Sequence, residues 1–460
     1  MKVELFAQQG QSRSGAANSQ RTINWVPVID PGSKGVKNLI ERPGLTLLAT
    51  IATSVCRGMQ DFKGVGYGVW GNKFYSITSG YVATERGTLN TSSGPCTIAG
   101  NGLQVVVCDS ATLYIYDVAG ATFAEISDVD FSSAGSVDYI DGYGVFNEPD
   151  TQKFWITSLL DFDSVDGLDF ASAESNPDDC IRVFVETGTL YLMGTKVIEP
   201  WYNSGDADFP FTRISGGTVE RGLLAKFSVV KDDNGILFLG DDRVVYRLSG
   251  SQIARVSSAQ VEASVAAMAD PTDAEGWTCS VQDSRFYVLT FPTDAITWVY
   301  DFSTGLWHEW DSYLLGRFRG AWHMRLGNKE IVGDYANGKL YKLDLGKHTD
   351  DGTQFITSHI FPSIHSEMRI PHNQFEVDIE AGVGLVSGQG SDPIMLLSWS
   401  DDQGKTWSNQ LDMKMGKIGE YKQRCEQRRL GSSLDRRYKI SCSEPVKRVV
   451  TGAYLNGRGA

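Results

Sequence analysis

Residues 183–194 read VFVETGTLYLMG and residues 235–250 read GILFLGDDRVVYRLSG. Each is a short β-rich run, a tight polar turn (Glu186-Thr187-Gly188; Gly240-Asp241-Asp242) and a second run with a central tyrosine, Tyr191 or Tyr246. β-branched and aromatic residues flanking a Gly/Asp turn predict a hairpin. In Ile236-Leu237-Phe238-Leu239 both parities are apolar, so both faces of that strand require cover. A sheet packed between two neighbouring sheets meets this requirement.

The same hairpin recurs on either side. It stands at 67–77 (YGVWGNKFYSI), 105–117 (VVVCDSATLYIYD), 145–156 (VFNEPDTQKFWI), 287–301 (YVLTFPTDAITWVYD) and 331–343 (IVGDYANGKLYKL). Its second-strand aromatics are Tyr75, Tyr114, Trp155, Tyr191, Tyr246, Trp298 and Tyr341, separated by 39, 41, 36, 55, 52 and 43 residues. One hairpin per period of roughly 40 residues is the spacing of four-stranded propeller blades. The segment 297–310, TWVYDFSTGLWHEW, has a kelch-like order of aromatic strand, turn and tryptophan. The expected fold is all-β: a six- or seven-bladed β-propeller over 51–357, preceded by an irregular arm (1–50) that docks on a second β-domain or a neighbour.

Two breaks interrupt the expected repeat. One is an acidic excursion near 157–181, with seven carboxylates and no basic residue between Lys153 and Arg182. The other is a linker at 196–235. A helix is predicted after Ser257, which stands at capping-box spacing from Gln260, with Val261, Val265 and Met268 on one face and Asp270-Pro271 ending it. Beyond 357 the period is lost. Alternating strands at 374–384 and 393–408 and a basic segment (424–442) predict a β-sandwich or platform domain over 358–460.

The bulk properties exclude several classes. No apolar run reaches the ~20 residues that cross a bilayer, and the start, MKVELFAQQGQSRSG, lacks an apolar core of signal-peptide length. No membrane insertion is expected. The seven cysteines form no CxxC pair, so buried free thiols are expected. No P-loop, dinucleotide fingerprint, H-E-x-x-H or GxSxG is present, so no cofactor and no catalytic residue is assigned. The acidic run Asp161, Asp163, Asp166, Asp169 departs from the EF-hand loop at its fifth and sixth positions and reads as an acidic surface. Net charge is −14, yet from Gln410 onward 12 Lys/Arg face 5 Asp/Glu, which points to different partners for different regions.

Ser400-Asp401-Asp402-Gln403-Gly404-Lys405-Thr406-Trp407 matches the Asp-box, S-x-D-x-G-x-T-W, at Ser400, Asp402, Gly404, Thr406 and Trp407. The motif is similar to that repeated in sialidase propellers, and Met368-Arg369-Ile370-Pro371 faintly echoes another sialidase segment. A propeller-type glycan-binding or glycosidase protein is therefore the alternative function. The box's mechanics are structural, its aspartate tying backbone amides of a turn. The arginines Arg428, Arg429, Arg436 and Arg437 favour a carboxylate-pairing subunit interface over nucleic-acid phosphate.

The order of segments 169–194, 196–217 and 254–265, with the ends 19–32, 41–45, 428–441 and 445–455, resembles the packaged-DNA stabilisation, or tail hub (nozzle), family of short-tailed bacteriophages. The resemblance implies a non-enzymatic virion protein, assembled in the host cytoplasm as a hexameric ring below the portal and its adaptor ring. It implies contacts with tailspike or fibre and with needle or plug proteins. Viral double-stranded DNA would be sealed in and later pass non-specifically through the lumen. On this expectation Asp161, Asp163, Asp166 and Asp169 face the lumen or exit. Arg428, Arg429, Arg436 and Arg437 hold a neighbour or the adaptor, and the linker aromatics Trp201, Tyr202, Phe209 and Phe211 make a tail contact.

Overall fold

The computed structural model describes residues 1–6, 10–11, 19–32, 36–173, 176–232, 235–282 and 284–457, with no side-chain description at 10, 11 and 19. The polar stretch 12–18 of the arm and Glu174 of the acidic run lie outside these residues. Almost every described element is a strand, and the helix Ala259–Ala267 is the main exception.

Seven antiparallel four-stranded blades follow one another among the described residues, five as separate sheets and the last two as parts of larger sheets. Blades 1 to 6 span 56–88, 97–125, 137–172, 180–213, 230–255 and 275–309. Blade 7 is composite. Its strands Gly320–Leu326, Lys329–Asp334 and Gly338–Asp344 are completed by Gly44–Ala52 from the arm, paired antiparallel from Gly338↔Ala52 to Asp344↔Gly44. The ring is thus closed by a strand remote in sequence.

Each blade buries both faces, as the apolar runs predict. Gly235–Leu239 is buried at every position. One apolar cluster fills each gap between consecutive blades: Phe74, Val107 and Tyr114 between blades 1 and 2, and Val106, Ile115, Phe146 and Phe162 between 2 and 3. The last joins Met324 and Ile331 of blade 7 to Cys56, Met59 and Trp70 of blade 1. Burial at about 25 cal/mol per Å² makes these seven seams the main stabilising term of the ring.

The periodic aromatics locate six blades in phase and one out of phase. Tyr75, Tyr114, Trp155, Tyr246, Trp298 and Tyr341 all lie on the third strand of their blades, whereas Tyr191 lies on the second strand of blade 4. The third-strand equivalent there is Trp201, on Ile198–Asn203. The irregular spacings around Tyr191 follow from this. Residues 198–213 are accordingly not linker but the third and fourth strands of blade 4. The acidic run is likewise no excursion: Asp161–Ser172 is the outer strand of blade 3, with register shifts against Lys153–Ser158. Every turn of an antiparallel meander joins two apolar strands, so a hairpin by itself does not reveal its place in the blade.

The helix is capped one residue later than its sequence suggests. Ser258 accepts from Val261 N, while Ser257 Oγ donates to Glu262 Oε1 at 2.7 Å. Val261 and Val265 enter the cluster between blades 5 and 6.

The C-terminal unit is a sandwich into which the arm is woven. One sheet runs Cys425–Arg428, Gln374–Ile379, Val449–Leu455, Lys37–Glu41, Trp25–Ile29, and Lys2–Val3 also pairs with Val449–Leu455. The other contains Thr357–Ile360, Ser432–Cys442, Ile394–Ser400 and Leu411–Lys414. Phe375 stacks on Tyr438 at 4.0 Å in the core between them. Thr22–Ile23 bridges Leu306–Glu309, the outer strand of blade 6, to Thr357–Ile360, so the propeller sheet continues into the sandwich.

Glu41-Arg42-Pro43-Gly44, which reads as a simple turn, is the junction of the two domains. Arg42 donates to both carboxylate oxygens of Asp350 (2.9 and 2.8 Å) and to Asn24 Oδ1 (2.7 Å). Glu41 accepts from Arg448 Nε at 2.8 Å. The two guanidinium groups lie over the ring of Phe355, at 4.0 and 4.3 Å. Both arginines are buried. A Cβ at Gly44 would meet Lys347 O at 2.3 Å, so no other residue lets the arm enter blade 7 here.

All seven cysteines are buried and unpaired. Burial pushes the thiols of Cys108 and Cys442 up to about 11 and those of Cys96 and Cys180 up to about 12. Because the thiolate is the reactive form, native protein should release no colour from a disulfide reagent at neutral pH. Full reaction should appear only in denaturant; rapid native reaction of even one thiol would contradict this packing.

Candidate functional site

The acidic strand presents Asp163 and Asp166 outward, with Asp161 and Asp169 partly exposed, while Phe162 and Val165 face the seam between blades 2 and 3. The bulged register lets the outer edge carry this run of carboxylates. The connection from blade 2 adds two more carboxylates. Asp128 Oδ2 accepts from Val165 N at 3.1 Å, and Asp130 lies against Gly167. Partial burial, then the charge of Asp161, raises the Asp163 carboxyl above its ordinary value, and Asp169 is raised by burial and Asp166. Asp128 is lowered by the amides of Asp130 and Val165. Six carboxylates therefore share one edge of the propeller, charged sides of an edge strand that also discourage sheet pairing. Asp128 and Asp130 are distant in sequence from the run, and only the blade 2 to blade 3 connection brings them there.

The four arginines do not form one surface. Arg428 and Arg429 are exposed, Arg428 pairing with Glu426 at 2.8 Å. Arg436 and Arg437 are buried in Ser432–Cys442. Arg436 grips both oxygens of Asp401 (2.6 and 2.7 Å), and Arg437 donates to Gln403 O at 2.9 Å. Both are spent holding the Asp-box loop. The sequence offers both Arg436 and Arg437 to an interface; alternation along a strand would turn one of them outward, but inside the sandwich neither is available.

The Asp-box itself works as a turn lock. Asp402 accepts from Thr406 N (2.9 Å), Thr406 Oγ1 (2.6 Å) and Ser400 Oγ (2.7 Å), and Gly404 N donates to Ser400 Oγ at 2.8 Å. Trp407 is partly exposed and takes Lys439 Nζ over its ring at 4.4 Å. The hydrogen bonds, those of Thr406 first, hold the Asp402 carboxyl far below the ordinary carboxylate range. A depressed native pKa means the lock is present above the ordinary value and is lost only as pH falls through the native one. The Thr406 amide should thus keep its hydrogen-exchange protection through the usual carboxylate titration; loss of protection within that range would contradict the lock.

The aromatics of 201–211 are largely interior. Trp201 and Phe211 are buried, and Phe209 is partly so. Phe154 of blade 3 meets Trp201 at 5.2 Å and Phe209 at 5.8 Å, and Tyr143 meets Phe211 at 5.8 Å. They form the seam between blades 3 and 4. Of the four residues, Tyr202 alone is mainly exposed, at 43%.

The part of 196–235 that does lie outside the blades closes the propeller's channel. The innermost strands of all seven blades surround an axial cavity of about 460 Å3. Residues 225–228, between blades 4 and 5, cross one mouth. Lys226 Nζ donates to Gly135 O and to Ser110 Oγ at the blade 2 side. Arg182 of blade 4 holds Lys226 O at 2.6 Å, and Phe227 O accepts from Gly276 N of blade 6. The Phe227 ring meets Trp322 of blade 7 edge-on at 6.1 Å. No sequence signal marks this plug, because Lys-Phe-Ser acquires its role only when blades 2, 4, 6 and 7 converge on it.

No group of three or more metal-ligating side chains occurs among the described residues. No helix is long and apolar enough to cross a membrane.

A closed β-propeller joined to a β-sandwich is the architecture of one class of phage structural protein. The family model described as bacteriophage P22 Gp10, beta-propeller matches residues 5–347, and the Gp10 beta-sandwich model matches 352–458. The chain belongs to this phage stabilisation (tail hub) family and is a virion component that assembles into a tail with other virion proteins. No curated protein sequence matches it. Among solved structures it is similar to the computationally designed Ika8 protein (13% identity, 74% of this chain and 99% of that one, TM-score 0.41). It is also similar to a chain of the mitotic checkpoint complex (12%, 70% and 97%, TM-score 0.42). A third is the extracellular domain of the putative one-component system BT4673 from B. thetaiotaomicron (11%, 84% and 57%, TM-score 0.44).

Proposed function

We propose that copies of this chain form a hexameric nozzle below the portal and adaptor ring, closing the filled capsid and then conducting DNA during ejection. The observation that carries the reading is the acidic edge of blade 3, with Asp161, Asp163, Asp166 and Asp169 joined by Asp128 and Asp130. A wall of carboxylates repels phosphate and lets a duplex slide without sticking. The plugged channel of each propeller supports a lumen enclosed between copies, with the acidic edges turned towards it or its exit. Of the four arginines Arg428, Arg429, Arg436 and Arg437, the first two are exposed and are the side chains offered to a neighbour or the adaptor. Tailspike or fibre and needle or plug proteins complete the assembly.

The test combines assembly with ejection. Purified chain should be monomeric alone and join a ring only on particles bearing the adaptor. Particles carrying Asp161, Asp163, Asp166 and Asp169 all changed to Lys should assemble but eject DNA at least about tenfold more slowly, a barrier of roughly 1.4 kcal/mol. Unchanged ejection kinetics in assembled particles would remove the acidic edge from the DNA path.

A further inference from the structure

In blades 1 to 6 one rim of the ring carries the turns that join strands one and two and strands three and four. Most of them are polar or glycine-rich, such as Lys63-Gly64, Thr187-Gly188 and Gly250-Ser251. Blades 2 and 3 depart from this, with third and fourth strands joined by Val118-Ala119-Gly120-Ala121 and by Leu159-Leu160. Ala121 and Leu160 have φ of 53° and 61°, the left-handed region that favours glycine or asparagine. Leu159 and Leu160 are nevertheless 58% and 49% exposed, so neither the turn nor the core calls for leucine there. Val118 N donates to Leu103 O at 3.0 Å, and Asn101 Nδ2 to Leu160 O at 3.2 Å. Leu103, Val118, Leu159 and Leu160, all exposed, thus form one apolar ridge across blades 2 and 3. Its surround is acidic: Asp117 precedes Val118, and Asp141 precedes Gly142, over which Leu159 lies. Asp161 is turned onto Gln104 Nε2 at 3.2 Å, and Lys63 at the blade 1 side donates to Gly102 O.

A second exposed apolar patch stands at one tip of the sandwich, where the loops 380–393 and 415–424 lie together. Gly419 N donates to Gly382 O at 3.2 Å, Gly384 lies against Ile418 N, and the Tyr421 ring lies against Gly382. Leu385, Val386, Ile418 and Tyr421 are exposed, Val386 at 86% and Tyr421 at 76%. The charge here is of the other sign. Residues 413–424 hold Lys414, Lys417, Lys422 and Arg424 against Glu420. Lys417 reaches Asp392 at 3.7 Å, and Arg424 reaches Glu426 at 3.8 Å. Contiguous exposed apolar patches mark interaction sites, and opposite charge around two of them sets which surfaces pair. Both patches are exposed within one chain, so they do not cover each other there. Two different complementary patches make a head-to-tail contact, which repeats from copy to copy and closes into a ring. We propose that the leucine ridge of blades 2 and 3 docks on the sandwich tip of a second copy of this chain, with Leu159 and Leu160 against Ile418 and Tyr421 and with Asp117 and Asp141 facing Lys417 and Lys422. The contact rests on the ring of copies proposed above and names the surfaces that join it.

Full-length chains labelled with heavy nitrogen are mixed with unlabelled chains, gathered on adaptor-bearing particles and treated with a carbodiimide, which condenses a carboxylate with an amine. Peptide pairs of mixed isotope should join Asp117 or Asp141 to Lys417 or Lys422. Leu159→Ser with Leu160→Gly gives the turn residues that its backbone favours, so the free chain should melt no lower than wild type. The same variant should gather on particles at least about tenfold more weakly, as loss of a central apolar contact does. Ile418→Ser with Tyr421→Ser should show the same loss from the other side. Mixed-isotope pairs that join other residues overturn the contact and leave the ring standing. Wild-type chains that never gather on the particles remove the ring and the contact together. Wild-type gathering by the Leu159→Ser, Leu160→Gly chain overturns the contact equally, and loss of a later tail protein from those particles would give the ridge to that protein.

Discussion

Leu45→Asp is expected to open the propeller ring and to cost the fold more than about 4 kcal/mol. Leu45 lies on the arm strand that completes blade 7 and is buried with Tyr341, Val332 and Trp310. Truncating a buried leucine costs about 2–5 kcal/mol, and an aspartate there adds a carboxylate with no partner. No other described strand covers the outer edge of Gly338–Asp344 at this point, so the blade would end in an open edge. Urea unfolding should show the loss, and hydrogen exchange should rise together at 44–52 and 338–344. Leu45→Met conserves volume and should cost less than about 1.5 kcal/mol. Equal stability of the Asp variant and wild type would mean that the arm strand does not close the ring.

Arg42→Ala should cost about 3–5 kcal/mol, because it leaves Asp350 buried and uncompensated. Among the described residues Asp350 then retains only Ser312 Oγ, at 2.7 Å, and the Phe355 ring loses one of its two cations. This loss falls at the contact between propeller and sandwich. Calorimetry should therefore show one transition in wild type and two in the variant, the domains melting separately. Replacing both partners, Arg42→Met with Asp350→Leu, should recover much of the stability, since matched removal of a buried pair is tolerated. A single unshifted transition in Arg42→Ala would show that the domains are coupled elsewhere, through Thr22–Ile23 above all.

Much of the site was hidden from the sequence for reasons visible in particular residues. Tyr191 and Tyr246 look equivalent, each following an apolar run and a turn, yet one stands on a second strand and the other on a third. Trp201, the true counterpart, was masked by the polar turn 204–208 after it. Arg436 and Arg437 resemble a basic surface until Asp401 and Gln403 are seen folded back onto them. Asp128 and Asp130 belong with Asp161–Asp169 only through the bulged edge of blade 3.

What the sequence determines by itself is local and repetitive. Strands apolar on both faces require neighbours on both sides, a period near forty residues supplies them, and the Asp-box specifies its own turn through atoms within seven residues. Blade phase, the arm strand that closes the ring, the Glu41–Arg42 junction and the 225–228 plug were decided by the tertiary structure alone. Each joins groups tens to hundreds of residues apart, and their energies exist only once those groups share one desolvated space. A repeat can announce that blades will form; where the circle begins, and what stands across its centre, depends on which ends meet.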